Sequence, residues 1–226
     1  MAGSTLILER LREQVHGEEF DHQVLLDAVR GCARPRDAVT RLLRAGVILR
    51  ITPGIYVLGA AYRRRPYSRE ILANLIAGPS YVSFEYALQH HGLIPERVEA
   101  VTSAIDGRAR RFETPAGLFL YKRVPERAFA RGLQRIELAG SGYLIAGPEK
   151  ALCDMVRGDR GLAVRNIGQM TTYLVQSLRI DLEELGRMDP EEVDGISVDY
   201  RSKQLRVLAA TIRRLQRGPS GEVPHE

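Results

Sequence analysis

Cysteine is scarce in this chain: only Cys32 and Cys153 occur in 226 residues, far apart and without metal-ligand spacing. That excludes a disulfide framework and a zinc finger or ribbon, and predicts two packed thiols in a reducing compartment. The five histidines, at positions 16, 22, 90, 91 and 225, supply no finger spacing either. Long apolar runs are missing too. None approaches the roughly 18 residues a bilayer span needs, and Met1 to Phe20 is too charged for a signal peptide. The expected location is therefore the cytoplasm, with no membrane partner. Common catalytic signatures are also absent: there is no Walker loop, no G-x-G-x-x-G after a strand and no G-x-S-x-G. The expectation is a protein that is not an enzyme and has no cofactor and no metal.

What remains is ordinary globular composition, 44% apolar and 27% charged, enough for one large domain or two modest ones. The charge is unevenly spread. Arg30 to Arg65 holds nine arginines (30, 34, 36, 41, 44, 50, 63, 64 and 65) against one acid, Asp37, whereas the whole chain carries only +5. Such local concentration is the electrostatic footprint of a nucleic-acid-binding surface.

The centre of that segment, Pro35 to Ala45, reads as an amphipathic helix. At about 100° per residue, Ala38, Val39, Leu42, Leu43 and Ala45 share one side, and Arg36, Asp37, Thr40, Arg41 and Arg44 the other. Pro35 suits the first helical position and Gly46 the left-handed residue past the last turn. VILRI (47–51) and IYVL (55–58), divided by Pro53-Gly54, read as a hairpin. Two helices are expected before it, Ser4 to Val15 and, capped by Asp21, a second running to about Arg30. Gly31 to Arg34 then forms the short turn of a helix-turn-helix. The assembly is a winged helix-turn-helix whose recognition helix presents arginines to duplex DNA. Arg36, Thr40, Arg41 and Arg44 are the candidates for base edges and flanking phosphates, with Arg34 at the turn before them. Arg50 and Thr52 on the hairpin are candidates for backbone or minor groove.

Gly59 to Tyr67 has linker composition, so the predicted domains are 1–60 and 61–226. Beyond it, Ser68 and Ser83 are read as caps of helices reaching about Ala77 and His91. Strands are expected at 98–105, 117–124, 135–138 and 142–145, forming a small, largely antiparallel sheet. Pro148 opens a further helix, and helices are expected at about 164–178, 182–188 and 200–217. Residues after Gly218 read as a tail. The fold class is α+β: an N-terminal winged helix-turn-helix, then a mixed α/β domain with a small antiparallel sheet and C-terminal helices.

Two constellations invite a catalytic reading. Ser83 and Glu85 stand near His90 and His91 in one predicted helix, but a nucleophile also needs an oxyanion site, and no such context is present. Glu149-Lys150 suggests a nuclease-like carboxylate and lysine. No accompanying set of acids is present, so a first-turn glutamate and a structural lysine are expected.

Several segments taken together resemble a known family. They are Arg44-Ala45-Gly46 with Gly54-Ile55-Tyr56-Val57; Tyr81 to Leu88 with His91-Gly92-Leu93-Ile94-Pro95-Glu96; Val101-Thr102-Ser103; Arg111 to Thr114; and Ile145 to Asp154. Over about residues 20–157 this ordered combination resembles the AbiEi-type antitoxins of type IV, abortive-infection toxin-antitoxin systems. The resemblance implies a winged helix that represses the promoter of a toxin-antitoxin operon by binding inverted repeats in double-stranded DNA, with a possible dimer on that DNA. It also implies a C-terminal domain that counteracts a cognate nucleotidyltransferase-type toxin. Two alternatives stay open: a nucleic-acid-processing enzyme targeted by its winged helix, and a plain transcription factor whose second domain senses a ligand or dimerises.

Overall fold

A computed structural model describes residues 2–138 and 140–217. The expected tail after Gly218 lies outside the described residues. The chain is α+β, and its elements gather around two hydrophobic cores.

The first core is built by α1 (Ala2–Gln14), β1 (Glu19–Asp21), α2 (His22–Ala28), α3 (Pro35–Arg44), β2 (Ile48–Thr52) and β3 (Ile55–Leu58). Asp21 caps α2 as expected, its side chain accepting the Val24 N–H at 3.0 Å. The three strands pair antiparallel in the order β1-β3-β2. The strand at 19–21 is an addition to the expected elements. With three residues it carries no readable period, and it exists because Glu19, Phe20 and Asp21 find Val57, Tyr56 and Ile55 across the ladder.

β3 is therefore the central strand, and it is buried on both faces. Alternation sends Tyr56 and Leu58 into the first core with Leu25, Ala38 and Leu42, and Ile55 and Val57 into the second with Ile71 and Leu72. The hairpin is thus shared between the predicted domains.

The segment 59–67 is fastened rather than loose. Buried Glu18 accepts the Arg64 and Arg65 N–H groups at 2.9 and 3.3 Å, and buried Glu19 accepts the Ser68 N–H. Burial pushes the Glu19 carboxyl upward against the lowering effect of that backbone hydrogen bond. Arg12 donates to the Tyr62 carbonyl and Arg65 to that of Leu138, at 3.2 Å in the latter case. Gly59, in this same stretch, donates to the Val47 carbonyl at 2.8 Å and lies so close to the backbone that a Cβ would land on the Gly46 carbonyl oxygen. Gly59→Ala must push the end of β3 away from the turn after α3. The expected cost is about 3 kcal/mol, the upper part of the overpacking range because backbone cannot rotate aside; urea unfolding of the variant measures it.

The second core lies around a six-stranded sheet in the order β6-β7-β5-β4-β9-β8. Its strands are β4 (Ser80–Val82), β5 (Val101–Ile105), β6 (Arg110–Thr114), β7 (Gly117–Arg123), β8 (Leu133–Leu138) and β9 (Ser141–Ala146). β5 with β7 and β4 with β9 are parallel, and the other three pairings antiparallel. The sheet is larger than the small antiparallel one expected because Ser80–Val82 and Arg110–Thr114 join it, and more mixed because parallel neighbours are not joined by a tight turn and so leave no local turn signal. Helices α4 (Arg69–Ile76), α5 (Phe84–His90) and α6 (Pro148–Gly158) belong with it. They are followed by α7 (Ile167–Thr172) with a π-turn at Tyr173–Ser177, then α8 (Leu182–Gly186), α9 (Pro190–Tyr200) and α10 (Lys203–Gln216). Ser68 caps α4 through the Ile71 N–H at 3.1 Å, as predicted. Ser83 occupies the cap position of α5 but makes no capping bond; its hydroxyl donates to Asp154 at 2.7 Å. α9 is a further addition to the expected helices.

Candidate nucleic-acid interface

The arginine helix begins and ends where its punctuation places it. Pro35 stands at the first helical position. At the other end Gly46 takes φ +65°, and two hydrogen bonds close the turn, Gly46 N–H to Leu43 O at 3.1 Å and Val47 N–H to Leu42 O at 3.0 Å. That pair is a Schellman motif, and the two positions whose apolar side chains usually accompany it, Leu42 and Val47, are both buried in the same core. The end of α3 is thereby fixed relative to the hairpin that follows.

Ala38 and Leu42 are buried, and Val39 and Leu43 half-buried against the first core. Arg34, Arg36, Thr40, Arg41 and Arg44 are all exposed. Arg34 lies 3.9 Å from Asp37, an exposed pair of little energetic weight. The Thr40 hydroxyl donates to the Arg36 carbonyl at 3.0 Å, so its outward surface is chiefly its methyl group. Among the described residues, the side chains of Arg36, Arg41, Arg44 and Arg50 have no carboxylate partner. In the second unit Arg97, Arg111, Arg131, Arg135, Arg179, Arg187 and Arg213 each pair with an acid within 3.0 Å, whereas others, Arg123 and Arg160 among them, have no carboxylate partner among the described residues. Uncompensated guanidinium groups on one helix and the adjoining strand are what a phosphate-bearing duplex requires.

Thr52 departs from the expected set. It is 8% exposed, on the buried side of β2, whereas Arg50 faces solvent. Period-two alternation would put the two on one face, but Arg50 pairs with Tyr56 and Thr52 with Ile55, so one residue of β2 is extra. This β-bulge reverses the alternation after Arg50 and turns Thr52 inward. Arg63 and Arg65 are also drawn into the scaffold, the former 5.5 Å from the Tyr67 ring centroid and the latter through its bond to Leu138.

The constellation around α5 does not assemble. Ser83 is bonded to Asp154, Glu85 pairs with Lys122 at 2.8 Å, and His91 Nε2 lies 2.7 Å from the Ala146 carbonyl oxygen. Burial pushes the His91 pKa down. Glu149, in the first turn of α6, accepts the Asp189 N–H at 3.0 Å, next to the start of α9.

Lys150, structural by its sequence context, is half of a fully buried ion pair. Its Nζ lies 2.7 Å from Asp154 Oδ1 and 2.7 Å from the Ala128 carbonyl. Asp154 also accepts the hydroxyls of Tyr200 at 2.6 Å, Tyr81 at 2.9 Å and Ser83. Burial, followed by the Asp154 charge, pushes both tyrosines far up, so they remain donors at any working pH. The i,i+4 spacing of Lys150 and Asp154 is the available signal in the sequence; their three hydroxyl partners come from elsewhere in the chain. Neither a protein-family model nor a curated protein matches the chain.

Proposed function

We propose that residues 1–60 act as a winged helix-turn-helix that binds double-stranded DNA, with α3 in the major groove and the β2–β3 hairpin as the wing. The single observation that carries this reading is the row of exposed arginines on α3, none of whose side chains at positions 36, 41 and 44 meets an acid among the described residues. Arg36, Arg41 and Arg44 take base edges and phosphates, and Arg50 takes backbone beside the wing. Arg34 is a weaker contributor because Asp37 stands near it. Thr40 offers apolar contact, and Thr52 serves the hairpin's buried side.

The resemblance to AbiEi-type antitoxins extends the reading: the protein represses its own operon through inverted repeats, and residues 61–226 counteract a nucleotidyltransferase-type toxin encoded beside it. Two copies on such repeats would set their α3 helices about one helical turn of DNA, or a multiple of it, apart. A mobility-shift titration with a duplex from upstream of its own gene and a scrambled duplex of equal length tests the DNA half. Tighter binding to the upstream duplex is expected, and equal binding defeats a sequence-specific repressor. Co-expression with the neighbouring gene tests the other half: growth arrest by that gene, relieved by this chain, is the expected result.

A further inference from the structure

A cavity of about 560 Å³ opens beyond the carboxyl end of β7, in the second unit. It is lined by Lys122 to Pro125, the chain as it leaves the sheet, and by Arg157, Gly158 and Arg160 at the end of α6. Phe84, Asp154 and Tyr200 also line it. The size is that of a small-molecule site, and the carboxyl ends of parallel strands such as β5 and β7 are where open sheets leave such crevices.

Its charge is unbalanced. Asp154 is the one acid of the lining, and its carboxylate is spent on Lys150 and three hydroxyls. Lys122 is spent on Glu85, and its Nζ stands 4.6 Å from the centre of the Phe84 ring. Three guanidinium groups are left. Arg157 gives one nitrogen to the neutral amide of Gln204 at 3.2 Å, while Arg123 and Arg160 have no carboxylate partner among the described residues. Three uncompensated cations around a concavity repel one another and concentrate anions within it. Guanidinium forks match phosphate oxygens bidentately, and exposed Ala109 and Pro125 provide apolar surface for a group attached to the phosphate.

We propose that this cavity binds a small organic phosphate of nucleotide size, held by Arg123, Arg157 and Arg160. The site is separate from α3 and does not depend on the DNA reading. Calorimetric titration of the full chain with ATP, AMP and inorganic phosphate, at matched ionic strength, tests it. Saturable binding of ATP or AMP is expected, weaker by at least about tenfold in R123E/R160E, which removes two charge-assisted hydrogen-bonding groups. Both residues are exposed, so the core does not depend on them. The R36A/R41A/R44A variant should bind the nucleotides as the wild type does. No saturable binding at low millimolar concentrations, binding undiminished in R123E/R160E, binding of inorganic phosphate alone, or equal loss in R36A/R41A/R44A would each overturn the proposal.

Discussion

Asp154→Ala is expected to destabilise the protein by about 3–5 kcal/mol, the cost of leaving a buried charge without its partner. Of its hydrogen bonds Lys150 Nζ would keep those to the Ala128 carbonyl at 2.7 Å and the Tyr200 hydroxyl at 3.5 Å, both neutral. Three hydroxyls, on Tyr81, Ser83 and Tyr200, would lose their acceptor at the same time. In a chain of this size the midpoint of thermal unfolding should fall by roughly 8–15 °C. The penalty is one of imbalance, so the double variant K150M/D154L, which removes both charges and fills the space with apolar atoms, should be more stable than Asp154→Ala alone. Urea unfolding of the single and double variants decides the matter. A single variant as stable as the double would mean that the ion pair does not hold α6 in place.

Replacing Arg36, Arg41 and Arg44 together by alanine is expected to weaken binding to the upstream duplex about 100- to 1,000-fold near 0.1 M salt. Leaving one phosphate without its arginine weakens binding close to tenfold at that salt through counterion release, and deleting a bidentate hydrogen bond to guanine costs about 1–3 kcal/mol. Stability should hardly change, because all three side chains are exposed and alanine is the better helix former. The variant therefore separates binding from folding. Unchanged affinity in a folded R36A/R41A/R44A protein would remove α3 as the recognition helix, whatever else binds DNA.

The parts of the fold that can be read in advance are those specified by near neighbours. α3 is legible because its apolar period, Pro35 and Gly46 all give the same bounds, and the Schellman turn is written in Leu42, Leu43, Gly46 and Val47 alone. Ser68, Asp21 and Pro148 are legible for the same reason. What escapes depends on distant chain. β1 has three residues and needs β3 to exist, and the parallel pairing of β5 with β7 is invisible from either strand. Thr52 escapes because one bulged residue reverses the alternation that would have turned it outward. α9 has its apolar positions at Val193, Ile196 and Tyr200, but Gly195 and a run of acids disguise it. The Ser83 hydroxyl has the look of a helix cap and belongs to a carboxylate 71 residues away. Of the interface residues, the arginines are legible through charge and period. Which of them stay uncompensated depends on where Asp27, Asp37 and the carboxylates of the second unit come to lie.

The salt dependence of affinity for the upstream duplex measures the central claim most directly, since it counts phosphates neutralised by this surface. With about six phosphates engaged, the logarithm of the association constant should fall against the logarithm of salt concentration with a slope of roughly −5, and less steeply in R36A/R41A/R44A. A slope near zero, or the same slope in the wild type and the variant, would contradict a duplex-binding role for α3.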